Sequence, residues 1–200
     1  MKTVLLSLVA GVLLLTAFKV FGQEAQAPGY KNGECWLFRS MSKNFQGYVS
    51  GVLALPVDGD HKICFLQAKF FEVDGDAKSE ISSASTWNSI LYMAENRYLK
   101  FPLIVGQKWT EEYKTRVRGT LRVERRTSET RVLGVEHIPT SAGTYQTFKI
   151  ERENWLGRVL ERWIYFYSPE TKSLVKYNYE ALVGSSATRE VELIKFWPVQ

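Results

Sequence analysis

Residues that carry reactive chemistry are scarce in this sequence. It has two histidines, His61 and His137, and two cysteines, Cys35 and Cys64. None of them clusters at the spacing of a zinc site, so no metal is expected. Gly47-Tyr48-Val49-Ser50-Gly51 puts Ser50 in the wrong register for a nucleophile elbow. Neither a phosphate-binding glycine loop nor a zinc-protease helix motif occurs. Asp58, Asp60, Asp74 and Asp76 lack the acid spacing and closing Glu of an EF-hand loop, so calcium is not expected either. His137 follows Glu136, but adjacent residues on a strand point to opposite faces and cannot act as an oriented pair. No catalytic residue and no cofactor is assigned.

A linker and a strong charge bias are missing too. No low-complexity stretch divides the chain, which argues for one domain. Its 26 basic and 21 acidic residues include Lys2 and Lys19, both in the N-terminal segment described next, so the remainder is only mildly basic and nucleic acid is not an expected partner.

What is present begins at the N-terminus. Lys2 precedes an apolar run over residues 4–18, closed by Lys19 and followed by Val20, Phe21 and Gly22, the pattern of a secretory signal peptide. The run is about 15 residues, short of the roughly 20 that span a bilayer, so no stable transmembrane anchor is expected. Cleavage after Gly22 is favoured, because cutting after Ala27 would place Pro28 next to the scissile bond. No Cys directly follows the run, which argues against a lipid anchor. The expectation is a leader over 1–22 and a single β-rich domain over 23–200, periplasmic or secreted. In such a compartment Cys35 and Cys64 are expected to pair.

Aromatic residues make up 14% of the chain and suit half-buried strands. Trp109, Tyr113, Thr115, Val117, Leu121 and Val123 share one parity, while the other parity is polar from Thr110 to Glu124. This period-two pattern predicts antiparallel sheet with one face on a core, with a bend, bulge or turn at Gly119. Val175, Tyr177, Tyr179 and Ala181 alternate likewise with Lys176, Asn178 and Glu180, as do Val191 and Leu193 with Glu190 and Glu192. Asn32-Gly33, Asp58-Gly59 and Asp74-Gly75 favour tight reversals. The repeated Val-Asp-Gly-Asp at 57 and 73 reads as two turns at opposite ends of one strand. Gly33-Glu34-Cys35-Trp36 is echoed by Gly106-Gln107-Lys108-Trp109, putting a Trp at the start of a strand twice. About nine to eleven strands are expected, and the segment 85–99 fits either a helix or a strand.

Phe101-Pro102-Leu103-Ile104-Val105-Gly106-Gln107-Lys108-Trp109 is followed by Ser141-Ala142-Gly143-Thr144-Tyr145, then Trp163-Ile164-Tyr165-Phe166-Tyr167-Ser168-Pro169-Glu170 and Val175-Lys176-Tyr177. This order resembles a loose group of uncharacterised secreted bacterial proteins. Their pattern reads FPL, hydrophobic, Gly, two residues, Trp, then a Pro-Ala-Gly-Thr-Phe loop, then an aromatic strand ending in Ser-Pro-Glu. Ser141 stands where the pattern has Pro, and Tyr145 where it has Phe. The resemblance covers residues 101–179 and implies an antiparallel half-barrel sheet and an exported location. It implies no activity.

Two surfaces are candidate sites. Lys114, Arg116, Arg118 and Arg122 form a basic face fit for an anionic glycan or lipid headgroup, or simply a solvated strand face that discourages edge pairing. Trp163, Tyr165 and Tyr167 share one parity of a strand that is apolar on both faces, with Tyr177 and Tyr179 expected on a neighbour. Their rings offer apolar area with polar tips, either as core or as a concave surface for a lipid or other apolar small molecule. The expected fold is mainly β, a curved antiparallel sheet, half-barrel or barrel-like, with few or no helices beyond the leader. The expected role is a non-enzymatic binding or envelope-assembly protein whose partner is an apolar ligand, an envelope protein or a glycan. A carbohydrate-binding module is the alternative, and a hydrolase would need a polar constellation not evident in the sequence.

Overall fold

The computed structural model describes residues 24–43, 59–67, 69–74, 77–80, 98–116, 123–155, 159–183 and 188–199. The expected leader over 1–22 and nearly all of segment 85–99 lie outside them, as do Arg118, Gly119 and Arg122.

Twelve strands and no helix occur among the described residues. They are β1 (Glu24–Ala25), β2 (Cys35–Lys43), β3 (Gly59–Leu66), β4 (Lys69–Asp74), β5 (Ala77–Glu80), β6 (Leu103–Ile104), β7 (Lys108–Arg116), β8 (Val123–Thr140), β9 (Gly143–Trp155), β10 (Val159–Ser168), β11 (Ser173–Ala181) and β12 (Thr188–Trp197). Ten of them build one curved antiparallel sheet in the order β5-β4-β3-β2-β12-β11-β10-β9-β8-β7, and β1 pairs with β6 separately. The sheet is not closed into a barrel, since β5 and β7 are its two edges. It consists of two meanders joined where β2 lies against β12.

Alternation explains the strands, with two corrections. In β11, Val175, Tyr177, Tyr179 and Ala181 are buried while Asn178 and Glu180 are exposed, as the pattern requires. The stretch from Trp109 to Glu124, however, is not one face of one strand. The chain reverses so that Arg116 pairs with Val123, and β8 runs back along β7. Val123 is therefore 54% exposed, and the inward parity of β8 passes to Arg126, Ser128, Thr130 and Val132, all buried. The run from His61 to Glu72 likewise reverses midway, at Gln67, whose φ is 50° and whose N–H donates to Asn32 Oδ1 at 2.7 Å. A left-handed Gln is not a turn signal in sequence, and the two Asp-Gly pairs drew attention to the ends instead.

The Gly-x-x-Trp echo is a repeated geometry. Gly33 N–H donates to Phe65 O at 2.7 Å and Phe65 N–H to Glu34 O at 2.9 Å; Gly106 N–H donates to Val132 O at 2.9 Å and Val132 N–H to Gln107 O at 2.9 Å. Each places two residues opposite one, a bulge led by a glycine at φ 98° or 88°. Each launches a strand whose second residue is Trp, β2 and β7.

Cys35 and Cys64 lie directly opposite each other on β2 and β3 and form a disulfide, with Cα atoms 4.1 Å apart. The core fills the inner face of the sheet and includes Trp36, Phe38, Ile63, Ile150, Val191 and Leu193. The segment carrying β6 crosses this face, where Leu103 is fully buried and Phe101 packs edge-on to Tyr167 at 5.2 Å. One end of the inner face is fastened by polar links: Trp36 Nε1 donates to Thr171 O at 2.7 Å, and buried Glu34 accepts from Lys172 Nζ at 2.6 Å and from Lys31 N–H at 2.8 Å. On the outer face, Phe166 lies between Lys149 and Lys176 in the register, and the Lys149 ammonium stands 5.8 Å from its ring. The two-faced aromatic strand β10 thus has core on one side and a lysine over its ring on the other.

Candidate functional site

Strand register sorts the inner face into rows. Val132, Ile150, Tyr165, Tyr177 and Val191 stand side by side across β8 to β12 and form an apolar row. One step along the strands, the next row reads Thr130, Arg152, Trp163, Tyr179 and Arg189. The step after that reads Ser128, Asn154 and Glu161, with Arg126 beyond on β8. The same surface therefore changes from aliphatic and aromatic to hydrogen-bonding within two rows.

This polar end is buried. Arg126, Ser128, Thr130, Arg152, Asn154 and Glu161 are all buried, Glu161 the most exposed of them at 8%. Arg152 Nη2 donates to Ser128 Oγ at 3.1 Å, its guanidinium lies 4.0 Å from the Tyr98 ring, and Asn154 Nδ2 donates to Glu161 Oε2 at 3.1 Å. Several polar atoms are left over. Arg126 Nε, Arg152 Nη1, Thr130 Oγ1 and Asn154 Oδ1 have no hydrogen-bond partner. Buried polar groups are normally satisfied, so this concentration makes the polar end of the inner face the candidate site.

Electrostatics ties the cluster together. Burial raises the Glu161 carboxyl above its usual range, against the opposing pull of the Asn154 hydrogen bond and of Arg126 and Arg152. Burial also raises Tyr113, on the adjoining edge strand, and Tyr179, which Glu161 pushes further up. Because the folded-state pKa of Glu161 lies above its ordinary 4.5, the ionised carboxylate costs stability at neutral pH, and that cost is absent where both states are protonated. Glu161→Gln should therefore raise the melting temperature at pH 7.5 and give no gain near about pH 4. Equal melting temperatures at pH 7.5 would show that the arginines fully offset the burial.

The five candidate aromatics, Trp163, Tyr165, Tyr167, Tyr177 and Tyr179, share this inner face and are all buried. Trp163 packs on Tyr179 at 5.2 Å and Tyr165 edge-on to Tyr177 at 6.1 Å. The basic face is represented among the described residues by Lys114, exposed, and by the backbone of Arg116 opposite Val123. Its neighbour in sequence, Arg126, turns inward instead. His61 lies against Glu72 at 2.8 Å on the first meander, and His137 is exposed on β8.

A concavity of about 360 Å³ lies on the outer face and is lined in part by Met41, Arg162, Ile164, Glu180 and Glu190. Two of its charges are closely paired: Arg162 donates to Glu153 at 2.9 Å, and Lys176 holds Glu190 at 2.5 Å. The inner cluster is the better candidate because four polar atoms of adjoining buried side chains are left over there.

No protein-family model and no curated protein matches the sequence. Among solved structures, a protein of Bacteroides fragilis, provisionally described as exported and as having a YmcC-like fold, aligns at TM-score 0.37 and 11% identity over 87% of this chain and 100% of that one. A provisionally described lipoprotein of Parabacteroides distasonis aligns at TM-score 0.40 and 12% identity over 86% and 99%. The hypothetical lipoprotein YmcC of Escherichia coli aligns at TM-score 0.37 and 10% identity over 84% and 86%. Likeness this distant carries no argument about family or function.

Proposed function

We propose that the chain is an exported, non-enzymatic binding or envelope-assembly protein whose curved sheet holds a lipid-like amphiphile against its inner face. The observation that carries this reading is the passage, within two rows of side chains, from an aromatic wall to a buried polar patch with unpartnered atoms. An amphiphile has the same division along its length, so its tail would lie along the apolar row and its head at the polar row. Export is supported by the apolar run over residues 4–18 between Lys2 and Gly22, and by a disulfide, which persists in oxidising compartments. Sugar stacking is less well supported, because it needs exposed aromatic planes and the five candidate rings are buried.

The test is to express the full sequence with its leader in a bacterial host and recover the exported protein. Its N-terminus should be Gln23, and solvent extraction followed by mass spectrometry should release an amphiphile in stoichiometric amount. An intact Met1 in a membrane-bound product would remove the export reading. A protein that carries no amphiphile, and from which envelope lipid displaces no hydrophobic dye, would remove the binding one.

A further inference from the structure

We infer that the polar end of the inner face is a subsite for an anionic head group, a carboxylate or a phosphate, received by the guanidinium groups of Arg126 and Arg152. The inference rests on the amphiphile reading above and gives its polar end a chemistry.

Arg126 is 4% exposed, yet its ion pair with Glu124 is 3.5 Å long and its Nε has no hydrogen-bond partner. Arg152, 6% exposed, uses Nη2 on Ser128, while Nη1 stands 3.8 Å from Glu111 and makes no hydrogen bond. Taking a guanidinium out of water is costly unless its N–H groups are well paired. Elsewhere in the molecule much more exposed arginines are paired closely, Arg39 with Asp60 at 2.7 Å and Arg162 with Glu153 at 2.9 Å. Slack pairing where desolvation is greatest is the reverse of what ion pairs built only for stability would show.

An oxyanion resolves the mismatch. Carboxylate and phosphate oxygens accept two parallel N–H bonds from one guanidinium. The Thr130 hydroxyl, fully buried and unpartnered, stands beside Arg152 in the register and offers one more donor. A cationic head would instead meet two guanidinium groups, and a neutral one would gain no charge-assisted hydrogen bond from N–H groups that Glu124 and Glu111 hold only at 3.5 and 3.8 Å. Arg126 lies three residues from the start of β8, where Val123 is exposed, so the head group sits near the end of the sheet with its chain directed toward Tyr165 and Tyr177.

Calorimetric titration of residues 23–200 with decyl phosphate, decanoate, decanol, decyltrimethylammonium and inorganic phosphate tests this. One or both anionic decyl compounds should bind at least about tenfold more tightly than decanol, and their order tells phosphate from carboxylate. Arg126→Gln or Arg152→Gln should weaken anion binding about 10- to 100-fold, the size of a lost charged hydrogen bond, and leave decanol unchanged. Lys114→Gln, at an exposed position, should change nothing. Equal affinity for all four decyl heads, unaffected by the arginine variants, would overturn the anion subsite and leave the amphiphile reading standing. Arginine-dependent binding of inorganic phosphate with no advantage from a decyl chain would do the opposite. If no probe binds, both fail. Should the arginine variants unfold by circular dichroism, the order of head groups on the unaltered protein, with inorganic phosphate competing against decyl phosphate, still decides.

Discussion

A Tyr165→Ser protein should melt roughly 6 to 20 °C below the parent, because truncating a buried aromatic costs about 3 to 5 kcal/mol and each kcal/mol shifts a domain of this size by about 2 to 4 °C. Tyr165 stands at the centre of the apolar row, between Ile150 and Tyr177 in the register, and is 4% exposed. Burial pushes its hydroxyl far above the normal tyrosine range. Tyr167→Ser should behave similarly, since that ring is fully buried against Phe101. Thermal melts followed by circular dichroism are enough to check both. A melting temperature that moves by less than about 2 °C in either variant would show that the ring is not part of the core.

The second large effect is expected from the disulfide. Cys35 and Cys64 are 29 residues apart, and closing a loop of that length should stabilise the fold by about 3.6 kcal/mol through the entropy of the unfolded chain. The double variant Cys35→Ala, Cys64→Ala should melt about 7 to 14 °C lower, and dithiothreitol should bring the parent to nearly the same temperature while leaving the variant unmoved. A parent that is indifferent to dithiothreitol after full reduction would remove the claim. The bridge clamps β2 to β3 close to the bulge at Gly33, so its loss would be felt first at the end of the sheet fastened by Glu34 and Lys172.

Much of the fold could be read from residue types because strands with one apolar parity declare their inward face. β11 was legible for that reason, and the pairing of Cys35 with Cys64 because they are the only two cysteines of a chain that opens on an export signal. The reversal at Gln67 was not, since a continuous alternation looks the same whether the chain goes straight on or doubles back, and the one between Arg116 and Val123 was signalled by Gly119 only as a bend, bulge or turn. The polar cluster escaped for a related reason. On β9, Glu151 and Glu153 point one way and Arg152 and Asn154 the other, so both faces are polar and period two carries no hydrophobic signal. A signal was nonetheless available. Following the apolar parity one or two residues past its end leads from Ile150 to Arg152, from Val132 to Thr130, from Trp163 to Glu161 and from Val191 to Arg189. Each of these polar residues is buried.

The seam between β2 and β12 sets an order of events for the chain. Cys35 pairs with Trp197 and Thr188 with Lys43, so the first strand of the large sheet meets the last, and no turn brings them together. A ribosome or a translocation channel delivers β12 only after every other described strand. Until then the two meanders are separate ribbons, each with an open inner edge, and neither can bury Trp36 against Phe196, a ring stacked on it at 5.7 Å. Such distant pairing is slow to form and leaves sheet edges exposed in the meantime. The covalent link between β2 and β3, needing only residues that emerge early, can hold one ribbon in shape while it waits for its partner.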